Sequence, residues 1–566
     1  MFGRHEITLG THDELFRFRD RFFPQFLGTF RFESLAHLEA NSPSFYAANT
    51  TAGGIDDPAV EWWLVSHSGY LQDAWSVKDE LTLSLGMRID VPIFLDRPLA
   101  NAEFEQAFGF STARSPRATP RIQPRFGFNW STGEAYRTQV RGGVGLFSGR
   151  PSFVWLSNAF RDTGNRFAFL VCPGPLAPPL DAADYPDSPP RQCADGTPPS
   201  PQLTTVDVID PDFGFPLDLK LSLGADRELP HGFTASAELL YTRAVEQPFL
   251  EELNLVAEPV AFDAAQGNRP LFGTPTADGF DPLRRSEEFA HVVQLTNRSG
   301  DRALLLTLGI QRRMSDWLRL RGSYTYSDVE GTQALFFPLA TFGFAANPVR
   351  GNPNEPERAT SPFERKHAIV VQVTGTWSLG GGFDLTLTPQ YVANSGAPYS
   401  YTVEGDVNGD GYWSDTPPVG RDNDLIYVPA DASEVAFRNP ADAAAFDAFI
   451  ESEPCLRAQR GRLMRPWSCF APWRHRWDLR GVIGIPGGWG RAELVFDVIN
   501  LFANVFEQPT FIDRGTSILW LAGRVDGDPA APLLFDYVGP ANRAGVFERL
   551  RPDSQRRFQV GLRYRF

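Results

Sequence analysis

Asp406, Asn408 and Asp410 alternate in Asp406-Val407-Asn408-Gly409-Asp410-Gly411-Tyr412, and this spacing is the strongest ligand pattern in the chain. Oxygen donors at positions 1, 3 and 5, a turn-making glycine at 6 and a backbone carbonyl at 7 match the first half of a calcium loop. Pro417 stands where the bidentate glutamate of position 12 belongs, which leaves Asp415 as the nearest substitute carboxylate. Two readings follow: a weak calcium site, suited to an extracellular loop, or a polar turn that binds nothing. Cysteines offer the other chemistry. Cys172 with Cys193 and Cys455 with Cys469 lie in Pro- and Gly-rich stretches without a CxxC spacing. They read as two loop-closing disulfides of an oxidising compartment, the alternative being four unrelated thiols. No Walker loop, HExxH or GxSxG elbow occurs, and the eight histidines are dispersed. His475, near Trp473 and Trp477, reads as interfacial, and the chain as no enzyme.

The elements that would position these residues are strands. In 81–91, Leu81, Leu83, Leu85, Met87, Ile89 and Val91 face one way and Thr82, Ser84, Gly86, Arg88 and Asp90 the other. Leu318, Leu320, Gly322, Tyr324 and Tyr326 alternate in the same way with Arg319, Arg321, Ser323, Thr325 and Ser327. Similar runs begin near Val140, Leu217, Phe233, Leu304, Ile369, Phe383, Trp477, Ala492 and Phe558. Each has about the 9–11 residues that a tilted strand needs to cross a bilayer. Short turns alternate with long loops at about 92–121, 150–215, 244–290, 328–365, 396–475 and 508–556. That asymmetry belongs to outer-membrane barrels, with short periplasmic turns and long extracellular loops. Parity then requires a single crossing in 289–313, over 303–313, with the earlier part projecting outside. The sequence therefore predicts an all-β, transmembrane antiparallel β-barrel chain with about 14 crossings.

Composition agrees. The 566 residues are 13% aromatic with 50 Gly and 47 Pro, yet mean hydropathy is only −0.25, as expected when apolar residues alternate with polar ones. No window is apolar enough for a membrane helix. A net charge of −15 excludes nucleic acid as a partner, because phosphate neutralisation needs clustered Lys and Arg. Arg88, Asp90, Arg319, Arg321, Asp384, Arg480, Glu493 and Asp497 fall on the inward face, as lumen-lining groups that contact a plug or as a solvated wall with paired charges. Trp75, Trp130, Trp317, Trp377 and Trp489 lie by the short turns and read as a periplasmic girdle, or else as caps on a soluble sandwich core. The opening MFGRHEITLG lacks the pattern of a signal peptide and reads as a missing N-terminus.

At the other end Phe558, Val560, Leu562, Tyr564 and Phe566 alternate with polar residues. This resembles the C-terminal strand that the barrel-assembly machinery reads, with outer-membrane lipid as the outward partner. The segments Arg125-Phe-Gly-Phe-Asn-Trp130, Gly142-Gly-Val-Gly-Leu-Phe-Ser-Gly-Arg-Pro151, Asn408-Gly-Asp-Gly411 and Phe496-Asp-Val-Ile-Asn-Leu-Phe502, together with Gly28-Thr-Phe-Arg-Phe-Glu-Ser-Leu35, resemble TonB-dependent receptors of the Oar-like type, which carry a carboxypeptidase-regulatory-like domain. The resemblance implies a barrel of about 22 strands around a plug. Residues 1–566 would then be the C-terminal barrel portion, without the plug and regulatory-like domain. It further implies TonB-coupled uptake of a scarce siderophore, glycan, peptide or similar nutrient, with the TonB complex engaged through the missing N-terminal part. A passive pore or a surface adhesin is the alternative.

Overall fold

The computed structural model describes residues 3–22, 25–52, 57–132, 137–181, 189–199, 204–412, 422–487, 491–503, 515–547 and 555–565. Fourteen long strands pair in chain order: β1 (His5–Asp20), β2 (Val60–Lys78), β3 (Leu81–Phe94), β4 (Arg121–Thr132), β5 (Thr138–Ser148), β6 (Leu217–Leu229), β7 (Phe233–Glu252), β8 (Arg302–Arg313), β9 (Leu318–Gly331), β10 (His367–Gly380), β11 (Phe383–Asn394), β12 (Arg474–Pro486), β13 (Arg491–Ile499) and β14 (Arg557–Arg565). Each is antiparallel to the next, so every connection but the turns is a loop at one end of the sheet. Among the described residues no pairing joins β1 to β14, which form the two edges. The segment Phe289–Arg298 extends the outer half of β7 and pairs in parallel with Thr204–Ile209, while β8 makes the crossing. The single crossing in this region is thus what the fold has.

One face of the sheet is apolar and exposed. Leu85, Met87 and Ile89 of β3 and Leu306, Leu308 and Ile310 of β8 all lie on it. In a soluble sandwich such rows would be covered by a second sheet, but here, among the described residues, the two largest cores lie at and beyond the strands' loop ends. Two aromatic belts bound the apolar face. At the short-turn end, Trp75, Trp130, Trp317 and Trp377 are exposed, and Trp317 and Trp377 meet at 5.6 Å. Trp489 lies outside the described residues.

Of the second belt, the sequence singles out His475, Trp473 and Trp477 and not the other members. At the loop end, the Tyr324 hydroxyl meets His367 Nδ1 and the Tyr391 hydroxyl meets His475 Nδ1, both at 2.8 Å. Trp473 stacks between the two imidazoles, and Trp477 packs on Tyr391. Amphipathic rings satisfied by one another suit a boundary where one side is oil and the other water. From Trp377 to His367 is ten positions along β10, which at ~3.3 Å per residue and a tilt of roughly 40° spans ~25 Å along the membrane normal. That is the height of an outer-membrane apolar band.

The long loops build a folded cap. Pro398–Glu404, Gly515–Arg524, Leu533–Tyr537, Ala436–Phe437 and Cys469–Phe470 form a small sheet. Helix Pro440–Ser452 covers it: Asn439 caps the helix on Ala441 N, Pro440 opens it, and Phe446, Phe449 and Ile450 are its buried stripe. Below the helix, buried Glu453 accepts the Tyr399 and Tyr401 hydroxyls, each at 2.9 Å. Cys172 is bonded to Cys193 and Cys455 to Cys469, closing loops with separations of 21 and 14 residues. Loop-closure entropy gives each crosslink ~3 kcal/mol. Peptide mapping of unreduced protein is expected to recover those two linked pairs alone, and a crossed pair or free thiols would contradict them. The double change C172S/C193S is expected to raise the proteolysis rate of residues 167–199 more than tenfold.

Candidate functional site

The candidate site is the inner wall of the sheet together with the cap seated on its loop end. Register decides the wall. Arg480 of β12 pairs with Asp497 of β13 across the strand boundary, and its guanidinium donates to both carboxylate oxygens at 2.7 and 2.9 Å. Asp384 accepts from Arg491 Nη2 at 2.6 Å, and Glu493 faces Arg563 and Arg565 at 3.4 and 3.5 Å. Arg88 donates to Asp90 and to Ser68, while Asp90 accepts from Gln123, whose oxygen takes Arg125. Arg321 donates to Gln311, and Arg319 is exposed with no ion pair among the described residues. All eight wall residues named from the sequence thus sit on strands of the sheet, seven of them with polar partners. Exposed pairs of this kind add little stability; their effect is a hydrated, charge-balanced surface.

The mouth is closed by aromatic packing. Trp62 of β2 is fully buried, its indole stacked on Phe18 at 4.3 Å and on Phe160 at 5.2 Å, with Nε1 donating to Ser157 Oγ at 2.9 Å. Phe160 and Ser157 belong to helix Phe153–Arg161, which buries Leu156 and Phe160, one turn apart. Nearby, Arg121 at the start of β4 pairs with Glu246 at 2.6 Å. It lies so close to Gly214 that a Cβ there would stand 0.9 Å from Arg121 Nη2, so any side chain at that position would have to displace the guanidinium. None of these residues was picked out from the sequence, because each partner lies 44 to 125 residues away and carries no local spacing.

Between wall and cap lies a cavity of about 760 Å³. Arg150, Arg302, Arg350, Glu330 and Asp301 line it beside Trp155 and Trp467. Arg302 pairs with Glu330 at 2.9 Å and Arg350 with Glu357. Burial pushes the Asp301 carboxyl above its ordinary range, although Thr332 donates to it through N at 3.1 Å and Oγ1 at 3.2 Å. Volume and mixed lining suit a ligand with both an apolar face and hydrogen-bonding groups.

The Asp406 to Tyr412 loop is buried within the cap. Asp406, Asn408 and Asp410 are 6, 3 and 4% exposed. Gly409 and Gly411 have φ of +77° and +86°, and Gly409 touches Gly273, so both positions require glycine. The Tyr412 hydroxyl donates to Glu252, which also faces His291 at 3.2 Å. Asp415 and Phe566 lie outside the described residues. Phe558, Val560, Leu562 and Tyr564 form one exposed row on β14, the last strand of the sheet.

The family model for the outer membrane beta barrel domain matches residues 1–504, and the chain belongs to that family. It is an outer-membrane β-barrel chain. Among solved structures it is similar to the ferric enterobactin receptor PfeA of Pseudomonas aeruginosa in complex with BCV-L6, at 12% identity over 99% of this chain and 52% of that one, with a TM-score of 0.44. It is also similar to the copper transporter OprC, at 10% identity over 81% and 49% with a TM-score of 0.37. Likewise it is similar to BauA, the ferric preacinetobactin receptor of Acinetobacter baumannii, at 11% identity over 81% and 46% with a TM-score of 0.35. The chain spans about half the length of these structures. No curated protein matches it.

Proposed function

We propose that the chain is the barrel portion of an outer-membrane receptor of the TonB-dependent, Oar-like type, non-catalytic, which captures a scarce nutrient at its outer mouth and offers it a hydrated path. The observation that carries this reading is the cavity between wall and cap, lined by charged pairs and two indoles directly above a charge-balanced inner face. A porin needs an open bore, whereas here ordered loops roof the mouth. Energy coupling through a plug would open such a roof, and a siderophore, glycan or peptide would fit the lining. The test is uptake by intact cells that carry or lack the gene, supplied in turn with labelled ferric siderophores, oligosaccharides and peptides. Uptake of one class is expected to fall at least tenfold on deletion and to stop when a protonophore collapses the energy supply. Uptake that persists without energy would establish the passive pore instead. Unchanged uptake with lost surface adhesion would establish the adhesin.

A further inference from the structure

Five oxygen-bearing side chains converge inside the cap. Asp406 Oδ1 accepts from Asn408 N at 3.2 Å and Gly409 N at 2.5 Å, and its Oδ2 from Gly411 N at 2.8 Å. Asp410 Oδ1 accepts from Tyr412 N at 2.9 Å, and its Oδ2 from Asn408 Nδ2 at 3.2 Å and Asn423 Nδ2 at 2.6 Å. Asp424, 14 to 18 positions further along, accepts from Val407 N at 2.9 Å and from Arg269 Nη1 at 3.3 Å. Arg269 spends its other amino group on Leu425 O. His291 lies on the Tyr412 ring and bonds Glu252, a separate pair.

The charges do not balance. Asp406, Asp410 and Asp424 are buried, and among the described residues the guanidinium of Arg269 is the one cationic group that donates to any of them. Three carboxylates against one guanidinium leave two negative charges in a site without water-facing surface, and burying unpaired charge is among the costliest things a fold can do. An independent sign comes from Asn423. It is 1% exposed, its amide nitrogen points at Asp410, and its Oδ1 has no hydrogen-bond partner. A buried orphan acceptor costs ~1–3 kcal/mol and calls for an ion or water to explain it.

We infer that Asp406, Asn408, Asp410 and Asn423 form a calcium site, with Asp424 held at its edge by Arg269, that ties the Asp406–Asp410 turn to Asn423 and stiffens the cap. A divalent cation cancels the two surplus charges and gives the Asn423 oxygen a partner. Every donor is a carboxylate or amide oxygen, with no sulfur or nitrogen, which selects a hard cation. Calcium takes 6–8 such oxygens in flexible geometry, while magnesium demands a strict octahedron and keeps several waters. Arg269, fully buried in the same cluster, lowers the net charge of the site and so weakens it, in keeping with the ~10⁻⁴–10⁻³ M range of extracellular modules. The site holds whether the chain transports, leaks or adheres.

The test is equilibrium dialysis of the whole chain in detergent against radiolabelled Ca²⁺, with proteolysis of the cap as a second readout. One ion per chain is expected, with Kd of ~10⁻⁴–10⁻³ M, and Ca²⁺ is expected to slow cleavage in residues 396–473 at least fivefold where equal Mg²⁺ does not. Asp410→Asn is near-isosteric and relieves repulsion, so it is expected to abolish binding while the barrel keeps its heat-modifiable mobility in gels. Asn423→Asp, which adds a fourth carboxylate, is expected to tighten Kd about tenfold, ~1.4 kcal/mol. No ion bound at about 10 mM, tenfold above the weak limit, would overturn the assignment. So would undiminished binding by D410N, an unchanged Kd in N423D, or equal protection by Mg²⁺.

Discussion

Replacing Trp62 by alanine is expected to detach helix Phe153–Arg161 from the wall and leave the strands in place. The indole is fully buried, touches Phe18, Phe94, Phe153 and Phe160, and donates its one N–H to Ser157. Truncating a buried tryptophan costs ~3–5 kcal/mol through lost transfer energy and the cavity left behind. The loss falls on the contact between cap and wall, because β2 itself is held by backbone pairing to β1 and β3 on both sides. Local opening of the helix should therefore become easier without global unfolding. Amide exchange in residues 154–161 is expected to accelerate ~10²-fold or more, given ~1.4 kcal/mol per factor of ten, while amides of β2 and β3 keep their protection. Trp62→Phe retains the stacking and loses only the hydrogen bond, and is expected to cost ~1 kcal/mol. If W62A left exchange in the helix unchanged, the cap would be held elsewhere.

Trp62 also marks where sequence reading ends. The fold was legible because period-two alternation is local: Leu83, Leu85 and Met87 declare their face without reference to any other strand. Loop asymmetry then supplied the topology, and parity corrected the 289–313 segment to one crossing. Residues 62 and 63 are both tryptophan, and nothing local says which of them is roofed by a helix some ninety residues later. The wall charges were legible as a face, but their pairing was not, since Arg480 meets Asp497 only through the register of β12 on β13. The calcium pattern shows the same limit. Asp406, Asn408 and Asp410 stand in one motif, while Asn423, Asp424 and Arg269 reach the loop from 13 to 137 positions away. The loop-end girdle was read only at His475, Trp473 and Trp477, for a different reason. Its remaining members, Tyr324, His367 and Tyr391, are each ordinary alone, and only pairing of β9 through β12 puts them in one row.

The largest contrast between neighbouring positions is expected on β8. Leu306 and Leu308 are exposed on the apolar face, whereas Thr307 between them points the other way and shares a hydrogen bond with Thr325 of β9 at 3.0 Å. Leu306 pairs with Leu239 on one side and Tyr326 on the other, so its neighbours offer no counter-charge. An arginine there must carry its guanidinium through hydrocarbon, at a cost of ~2–4 kcal/mol near the bilayer midplane. The same arginine at Thr307 enters a wall already lined by Arg321 and Gln311, where water solvates it. Its cost is expected to stay within ~1 kcal/mol, as for other solvated sites. Urea unfolding in lipid vesicles, followed by loss of the heat-modifiable band, measures both. Leu306→Arg is expected to lower the unfolding free energy by several times the effect of Thr307→Arg, although the two sites are adjacent and the added group is identical. In detergent the gap should narrow, because a micelle deforms around the charge more readily than a bilayer does. Equal costs in vesicles would mean that both faces of β8 meet the same solvent, and the chain would then lack the one property a membrane barrel cannot do without.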